Sequence, residues 1–452
     1  LMYCLITSFQ IKLEQYRQTE TQQILSDIKD KQIKSDYFVQ SLDHFNVSNN
    51  ETFKQLYHFN DQYYDKTKGI VILQVGGEGP TSQQDVSNVW SADYFAQNMS
   101  ALNIELEHRY YGESIPDGYD LKYLSSKQAL ADLVEFGAFL KKKFNAKKIV
   151  TYGGSYPGNM AGWARSIFPH MFDAAIASSG PLMGKVKFTE FMDMDGEVLD
   201  KYLPGCKDNT IIAIKAFEMM LKNNKPEAAV LLKNTTFETE ELSELDYSTI
   251  MSTVAEFPSM IQRMKEDGSD VVKYCEDLQE APDKLHGYFQ WLWAGKEQLF
   301  PLFYSDIVEM TKTSSWTWQT CTEFGYFQDT EQFSKRIDMN FYYNLCLDAF
   351  PDYFEEAGVK TVDELKDFME HQITDFTNAY YGARNQPRSK IFYTNGGNDP
   401  WSILSMRQDL SWADGQYRHE QTENELILNG NHCSDMRMSW KSNEGIRQKQ
   451  LD

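Results

Sequence analysis

The run Ile149-Val-Thr-Tyr-Gly-Gly-Ser-Tyr-Pro-Gly158 constrains this chain more than any other stretch. A β-branched segment ends in two glycines and a serine, and the residues from Asn159 to Phe168 read as a helix. A strand, a sharp turn and a helix with Ser155 at the apex lift a hydroxyl clear of its own backbone and aim a helix N-terminus at it. Gly153 supplies the close backbone approach that such a turn requires. The run departs from G-x-S-x-G at Pro157. Proline is tolerated in the first turn of a helix, where its missing N–H has no intrahelical partner.

A serine nucleophile needs a base, and the base needs an orienting carboxylate. Of the 8 His, only His432 has the context of a catalytic loop: Glu425-Leu-Ile-Leu428 reads as a short buried strand and Asn429-Gly-Asn-His432 as the turn after it. Lys390-Ile-Phe-Tyr-Thr394 reads as another strand, followed by Asn395-Gly-Gly-Asn-Asp399-Pro-Trp401. Both candidates fall just past the C-terminal end of a strand, where open α/β sheets keep their ligands. The order Ser155, Asp399, His432 is that of the α/β-hydrolases. Taken singly, Asp399 reads as an Asp-Pro turn and His432 as a satisfied loop histidine. Three strand-end placements in this order favour a catalytic triad instead. Asp435 reads as the cap of the next helix.

In an acyl transfer of this kind the oxyanion meets the N–H of the residue after the nucleophile, here Tyr156, and a second N–H from the loop after an early strand. Gly69-Ile-Val-Ile-Leu-Gln-Val75 reads as that strand, so Gly77 or Glu78 is the second donor. A phosphate cradle at Gly76 to Gly79 is disfavoured, because no G-x-x-x-x-G-K-[ST] accompanies it.

The stretches Gln40-Ser-Leu-Asp-His-Phe45, Gly76-Gly-Glu-Gly-Pro80, Glu107-His-Arg-Tyr-Tyr-Gly-Glu-Ser114, Gly153-Gly-Ser-Tyr-Pro-Gly158, Trp318-Gln-Thr-Cys-Thr-Glu323 and Asn398-Asp-Pro-Trp401 together resemble the S28 serine peptidases, from about Asp36 to about Trp440. That family has Pro-X carboxypeptidase, dipeptidyl peptidase II and thymus-specific branches, and His432-Cys-Ser-Asp-Met436 looks most like the last. The resemblance implies Ser155 as nucleophile, Asp399 as orienter and His432 as general base and acid. It also implies a serine exopeptidase that cleaves after proline or a small residue, with an α/β-hydrolase core and a helical cap. Trp401 matches a family tryptophan of the proline pocket, where an indole face suits a flat pyrrolidine ring. Asn159 stands where the carboxypeptidases have an apolar pocket residue, which would make this pocket more polar. Glu107 and Arg109 are candidates for binding a terminal ammonium and carboxylate, against the alternative of a structural ion-pair cluster. An esterase or lipase, or a catalytically silent binding protein on the same scaffold, are the competing readings.

The layout agrees with an insertion. Strands and helices alternate from Gly69 to about Pro181 and again from Lys390, whereas residues between read mainly helical, as at Asn209 to Asn223 and Thr361 to Tyr381. Aromatic-rich segments such as Tyr288-Phe-Gln-Trp-Leu-Trp293 read as turns. The expected organisation is a signal remnant and N-terminal arm at 1–35, an α/β core at 36–182 and 389–452, and a helical cap insertion at 183–388 that covers the active-site face. With 452 residues a chain of two such parts is of ordinary size.

A formal charge of -22 argues against nucleic acid as a partner. No apolar run approaches the ~18 residues of a membrane span, and no metal or cofactor motif stands out; the resemblance implies peptide substrates as partners, with a homodimer left open. Leu1 to Phe9 is apolar apart from Thr7 and Ser8 and reads as the tail of a secretory signal. Sequons stand at Asn46, Asn50, Asn98 and Asn234. Of the six cysteines none forms C-x-x-C, and Cys206, Cys275, Cys321 and Cys346 cluster in the middle third, as for an insertion stapled by two disulfides in an oxidising compartment. Four cysteines allow three connectivities. Cys433 is read as a free thiol beside His432. A secreted or lysosomal location follows from these signals.

Overall fold

The computed structural model describes residues 33–234, 241–294, 303–385, 389–407, 423–439 and 443–451. The signal-like segment, Cys4 and nearly all of the N-terminal arm lie outside the described residues. Within them the chain forms two compact units, residues 33–184 with 375–451 and the intervening Lys185–Thr374.

The first unit is built on one eight-stranded sheet: β1 (Lys34–Ser41), β2 (Thr52–Asn60), β3 (Ile70–Val75), β4 (Leu102–Leu106), β5 (Lys148–Gly154), β6 (Ala174–Ser178), β9 (Ile391–Gly396) and β10 (Glu423–Ile427). Their spatial order is β1-β2-β4-β3-β5-β6-β9-β10. β2 runs antiparallel to both β1 and β4, and every other pairing is parallel. This order, with an antiparallel second strand and a crossover that exchanges the third and fourth, is that of the α/β-hydrolases. β1 starts at Lys34, two residues before the expected start of the core.

The pattern of burial explains why the sheet takes this form. β4 and β9 are buried at every residue and β3 at all but one, as strands covered on both faces must be. Helices α1 (Ser91–Met99), α2 (Ser126–Lys143) and α3 (Tyr156–Ile167) supply the cover. Ala92, Phe95 and Ala96 of α1 pack with Ile72, Tyr152 and Ile176 of three adjacent strands in one buried cluster. Because β5, β6, β9 and β10 are parallel neighbours, their C-terminal ends lie along one edge. All three candidate triad residues follow such an end.

The second unit is mainly helical, with a two-stranded sheet of β7 (Lys185–Lys187) and β8 (Gly325–Phe327). Cys206 pairs with Cys275 and Cys321 with Cys346, at Cα separations of 5.2 and 5.7 Å. Each bond joins two elements: the helices Cys206–Asn223 and Ser269–Glu280, and the π-turn Thr320–Phe324 with the helix Met339–Ala349. The aromatic segment from Tyr288 is a helix, Lys284–Leu292, and not a turn. Asp283 caps it, accepting from the N–H groups of Leu285 and His286, and Leu285, Tyr288, Phe289 and Leu292 fill its buried face. The expected helix from Thr361 to Tyr381 is interrupted by a π-turn, Met369–Thr374. Among the described residues no helix is long and apolar enough to cross a membrane.

Candidate active site

Ser155 occupies a backbone conformation that few residues adopt, φ 65° and ψ −136°. A non-glycine residue there costs on the order of 1–3 kcal/mol and persists only where its surroundings over-determine it. Three hydrogen bonds do so: the Ser155 N–H donates to the Ser178 carbonyl (2.9 Å), and the N–H groups of Gly158 and Asn159 donate to the Ser155 carbonyl (2.8 and 3.2 Å). Gly153 completes the elbow, since a Cβ there would come within 2.2 Å of the Pro157 carbonyl oxygen. The Ser155 hydroxyl makes no capping bond to its own helix, although the residue stands at the N-cap.

Asp399 and His432 meet beyond the ends of β9 and β10. His432 Nδ1 lies 2.8 Å from Asp399 Oδ2, and Asp399 Oδ1 accepts from the Trp401 N–H at 3.0 Å. The carboxylate is therefore held at both oxygens and fully buried, while the imidazole keeps 18% of its surface. Burial pulls the imidazole down, yet the Asp399 carboxylate and the Cys433 sulfur outweigh it and hold His432 well above its usual value. The His432 loop lies against the elbow: a Cβ on Gly154 would be 2.8 Å from Cys433 Sγ, and the Cys433 N–H donates to Ser179 Oγ at 3.0 Å. Cys433 is the free cysteine of the described residues.

Asp435 does not cap a helix. Its buried carboxylate accepts from the hydroxyls of Ser178 and Thr394 and from the Gln450 amide, which ties the His432 loop to the ends of β6 and β9.

Tyr156, the first candidate oxyanion donor, is held from behind by His108. His108 Nδ1 lies 2.7 Å from the Arg109 carbonyl, which can only accept, so Nδ1 carries the proton. Nε2 is then the acceptor for the Tyr156 hydroxyl at 3.0 Å. Burial keeps His108 neutral by lowering it to about 4. Sequence reasoning missed this histidine; nothing in its spacing distinguishes it from its neighbours in Glu107-His-Arg. The second candidate loop also reaches α3, because a Cβ on Gly77 would come within 2.5 Å of Pro157 Cγ. The Glu78 side chain is half-buried.

The remaining candidates divide. Trp401 is half-buried beside Asp399. Asn159 is fully buried and its amide donates to the Pro181 carbonyl at 3.0 Å, so it lines no open pocket. Glu107 and Arg109 are committed to the scaffold and offer nothing to a substrate terminus. Glu107 accepts from Thr81, Glu113 and Ser114, and Arg109 forms a two-pronged pair with Asp132 while donating to the carbonyls of Ser41, Leu42 and Tyr123. They do not pair with one another, so the expected ion-pair cluster is one of Arg109 with Asp132. Asn46, Asn50 and Asn98 are exposed and Asn234 is half-buried.

The chain matches the family model described as serine carboxypeptidase S28 over residues 40–449. It is 29% identical to the thymus-specific serine protease of Homo sapiens over 88% of this chain and 80% of that one. It is 28% identical to the lysosomal Pro-X carboxypeptidase of Mus musculus, covering 83% and 80%. Among solved structures it is similar to the Pyrococcus furiosus esterase Pf2001 with a TM-score of 0.27 and 14% identity, over 38% of this chain and 59% of that one. A family match that spans nearly every element of both units fixes the kind of enzyme: the chain belongs to the serine carboxypeptidase S28 family and is a serine-type peptidase.

Proposed function

We propose that the enzyme hydrolyses peptide bonds near a chain terminus through an acyl-enzyme on Ser155. His432 removes the Oγ proton during attack and returns it to the leaving amine, and Asp399 orients the ring and stabilises the imidazolium. The observation that carries this assignment is the doubly held Asp399 carboxylate, 2.8 Å from His432 Nδ1, in a loop packed against the strained serine elbow. Because Nδ1 faces a carboxylate, its proton stays there and Nε2 is left as the base. The tetrahedral oxyanion is received by the N–H of Tyr156, whose side chain His108 fixes, and by an N–H of Gly77 or Glu78.

Exopeptidase action and a preference for proline or a small residue come from relatives named as carboxypeptidases, with Trp401 the wall of the acyl-side pocket. Two disulfides and the lysosomal name of one relative favour the secretory pathway, lysosomal or secreted. Incubating the purified protein with a defined peptide library and reading the products by mass spectrometry tests the whole proposal, with Ser155→Ala as the control. Single residues or dipeptides released from one end, and none by Ser155→Ala, are expected. Internal cleavage would remove the exopeptidase assignment, and full activity in Ser155→Ala would remove the nucleophile.

A further inference from the structure

Cys433, the residue after the proposed base, is held in the left-handed region at φ 54° and ψ 33°. A residue other than glycine keeps that conformation only where its surroundings over-determine it. The loop arrives through Leu428 and Asn429, both exposed, so its hold on the sheet comes after His432 and not before it.

That hold lies on one row of the sheet. Gly154, Ser178 and Thr394 are register partners on the adjacent strands β5, β6 and β9. Ser178 Oγ donates to Asp435 Oδ1, and Thr394 Oγ1 donates to Oδ2 at 2.6 Å. Gly154 presents no side chain, and a Cβ there would come within 2.2 Å of Met436 Sδ and 2.8 Å of Cys433 Sγ. The segment from Cys433 to Met436 therefore lies across the ends of all three strands. A third donor, Gln450 Nε2 of the helix Glu444–Leu451, reaches Asp435 Oδ2 at 2.8 Å. A carboxylate suits this buried place because it only accepts and can take all three donors at once.

The same row anchors the rest of the site. The Ser178 carbonyl accepts the Ser155 N–H that fixes the elbow, at 2.9 Å. The Thr394 carbonyl accepts the Ser179 N–H at 2.7 Å, and Ser179 Oγ accepts the Cys433 N–H at 3.0 Å. Beyond Thr394 the chain leads directly to Asp399. We propose that Asp435 is a positioning residue for the reaction: it touches no reacting atom, but by clamping the base loop to the strand ends it sets where His432 stands relative to Ser155 and Asp399. This role rests on the reading of Ser155 as nucleophile and His432 as base.

The test compares Asp435→Ala, Ser178→Ala, Thr394→Val and the double variant of Asp435→Ala with Ser178→Ala. The readouts are peptide hydrolysis, thermal melting and the low-field proton resonance of the His432–Asp399 hydrogen bond. A displacement of about 1 Å costs on the order of 100-fold in rate, so Asp435→Ala is expected to lower kcat by about that factor at unchanged KM and to shift the resonance. Because the Ser178 hydroxyl acts through the carboxylate, the double variant is expected to be no slower than Asp435→Ala alone. Ser178→Ala and Thr394→Val each remove one donor and keep the backbone anchors. Smaller losses in kcat, with the resonance moved in the same direction, are expected of both, and they carry the test if Asp435→Ala fails to fold. An unmoved resonance in every folded variant, an unchanged kcat, or losses that multiply in the double variant would overturn the positioning role and leave Ser155 and His432 in theirs. Wild-type hydrolysis by Ser155→Ala would instead remove the nucleophile on which that role depends.

Discussion

Asp399→Asn separates orientation from mere presence of the catalytic groups. The Trp401 N–H donates to Oδ1, and His432 Nδ1 faces Oδ2. In the variant the amide must place its oxygen at the Oδ1 position, since its NH2 cannot accept from Trp401. The NH2 is thereby directed at His432 Nδ1, which has to lose its proton to accept the bond. The proton then sits on Nε2, and the nitrogen that should remove the Ser155 proton carries one already. Substituting an isosteric amide in a triad of this geometry lowers kcat by about 10^4, equivalent to about 5.4 kcal/mol in the barrier. The assay is steady-state hydrolysis of a peptide identified from the library, alongside thermal melting. The expected result is a loss in kcat near four decades with little change in KM and a melting temperature close to that of the wild type. Retention of more than a tenth of the wild-type kcat would refute the tautomer argument. A collapse of the melting temperature would show that Asp399 acts through the fold instead.

Cys433→Ser removes one of the groups that hold His432 high; since the base must be neutral, the acidic limb of kcat/KM should move to lower pH, and an unmoved limb would deny the sulfur any part in it. Asp132→Ala leaves the Arg109 guanidinium buried without its carboxylate, a loss of about 3–5 kcal/mol. Arg109→Met with Asp132→Leu should cost less than that single change in urea melts; a larger loss in the double variant would contradict the buried-charge account. Glu105 is buried with Oε2 unpartnered, and burial and then Asp85 and Glu107 raise its carboxyl well above the usual range. A folded value raised above the unfolded one gives stability that is complete in acid and is lost as pH rises towards the folded value. Glu105→Gln should therefore flatten the fall in melting temperature from pH 4 to pH 7, and an unaltered slope would clear Glu105 of it.

The nucleophile, its base and its carboxylate could be found in the sequence because each is announced by local backbone chemistry. Two glycines before Ser155 mark an elbow that other residues would clash in, and Asn-Gly turns after short apolar runs mark the ends of β9 and β10. The two cysteine pairs were narrowed by position but not resolved, because connectivity depends on how helices far apart in sequence pack. Roles set by tertiary partners were beyond reach. Arg109 looked available for a carboxylate until Asp132 and the carbonyls of Leu42 and Tyr123 claimed it, and Asn159 looked like pocket lining until Pro181 did. Asp435 followed the usual statistics of a cap, yet two hydroxyls at the ends of strands β6 and β9 took its oxygens. The Tyr288 segment failed differently: its aromatic residues obscured a helical spacing that only the Asp283 cap would have exposed. The common factor is that a side chain's direction is fixed by what surrounds it, whereas a turn is fixed by the residues within it.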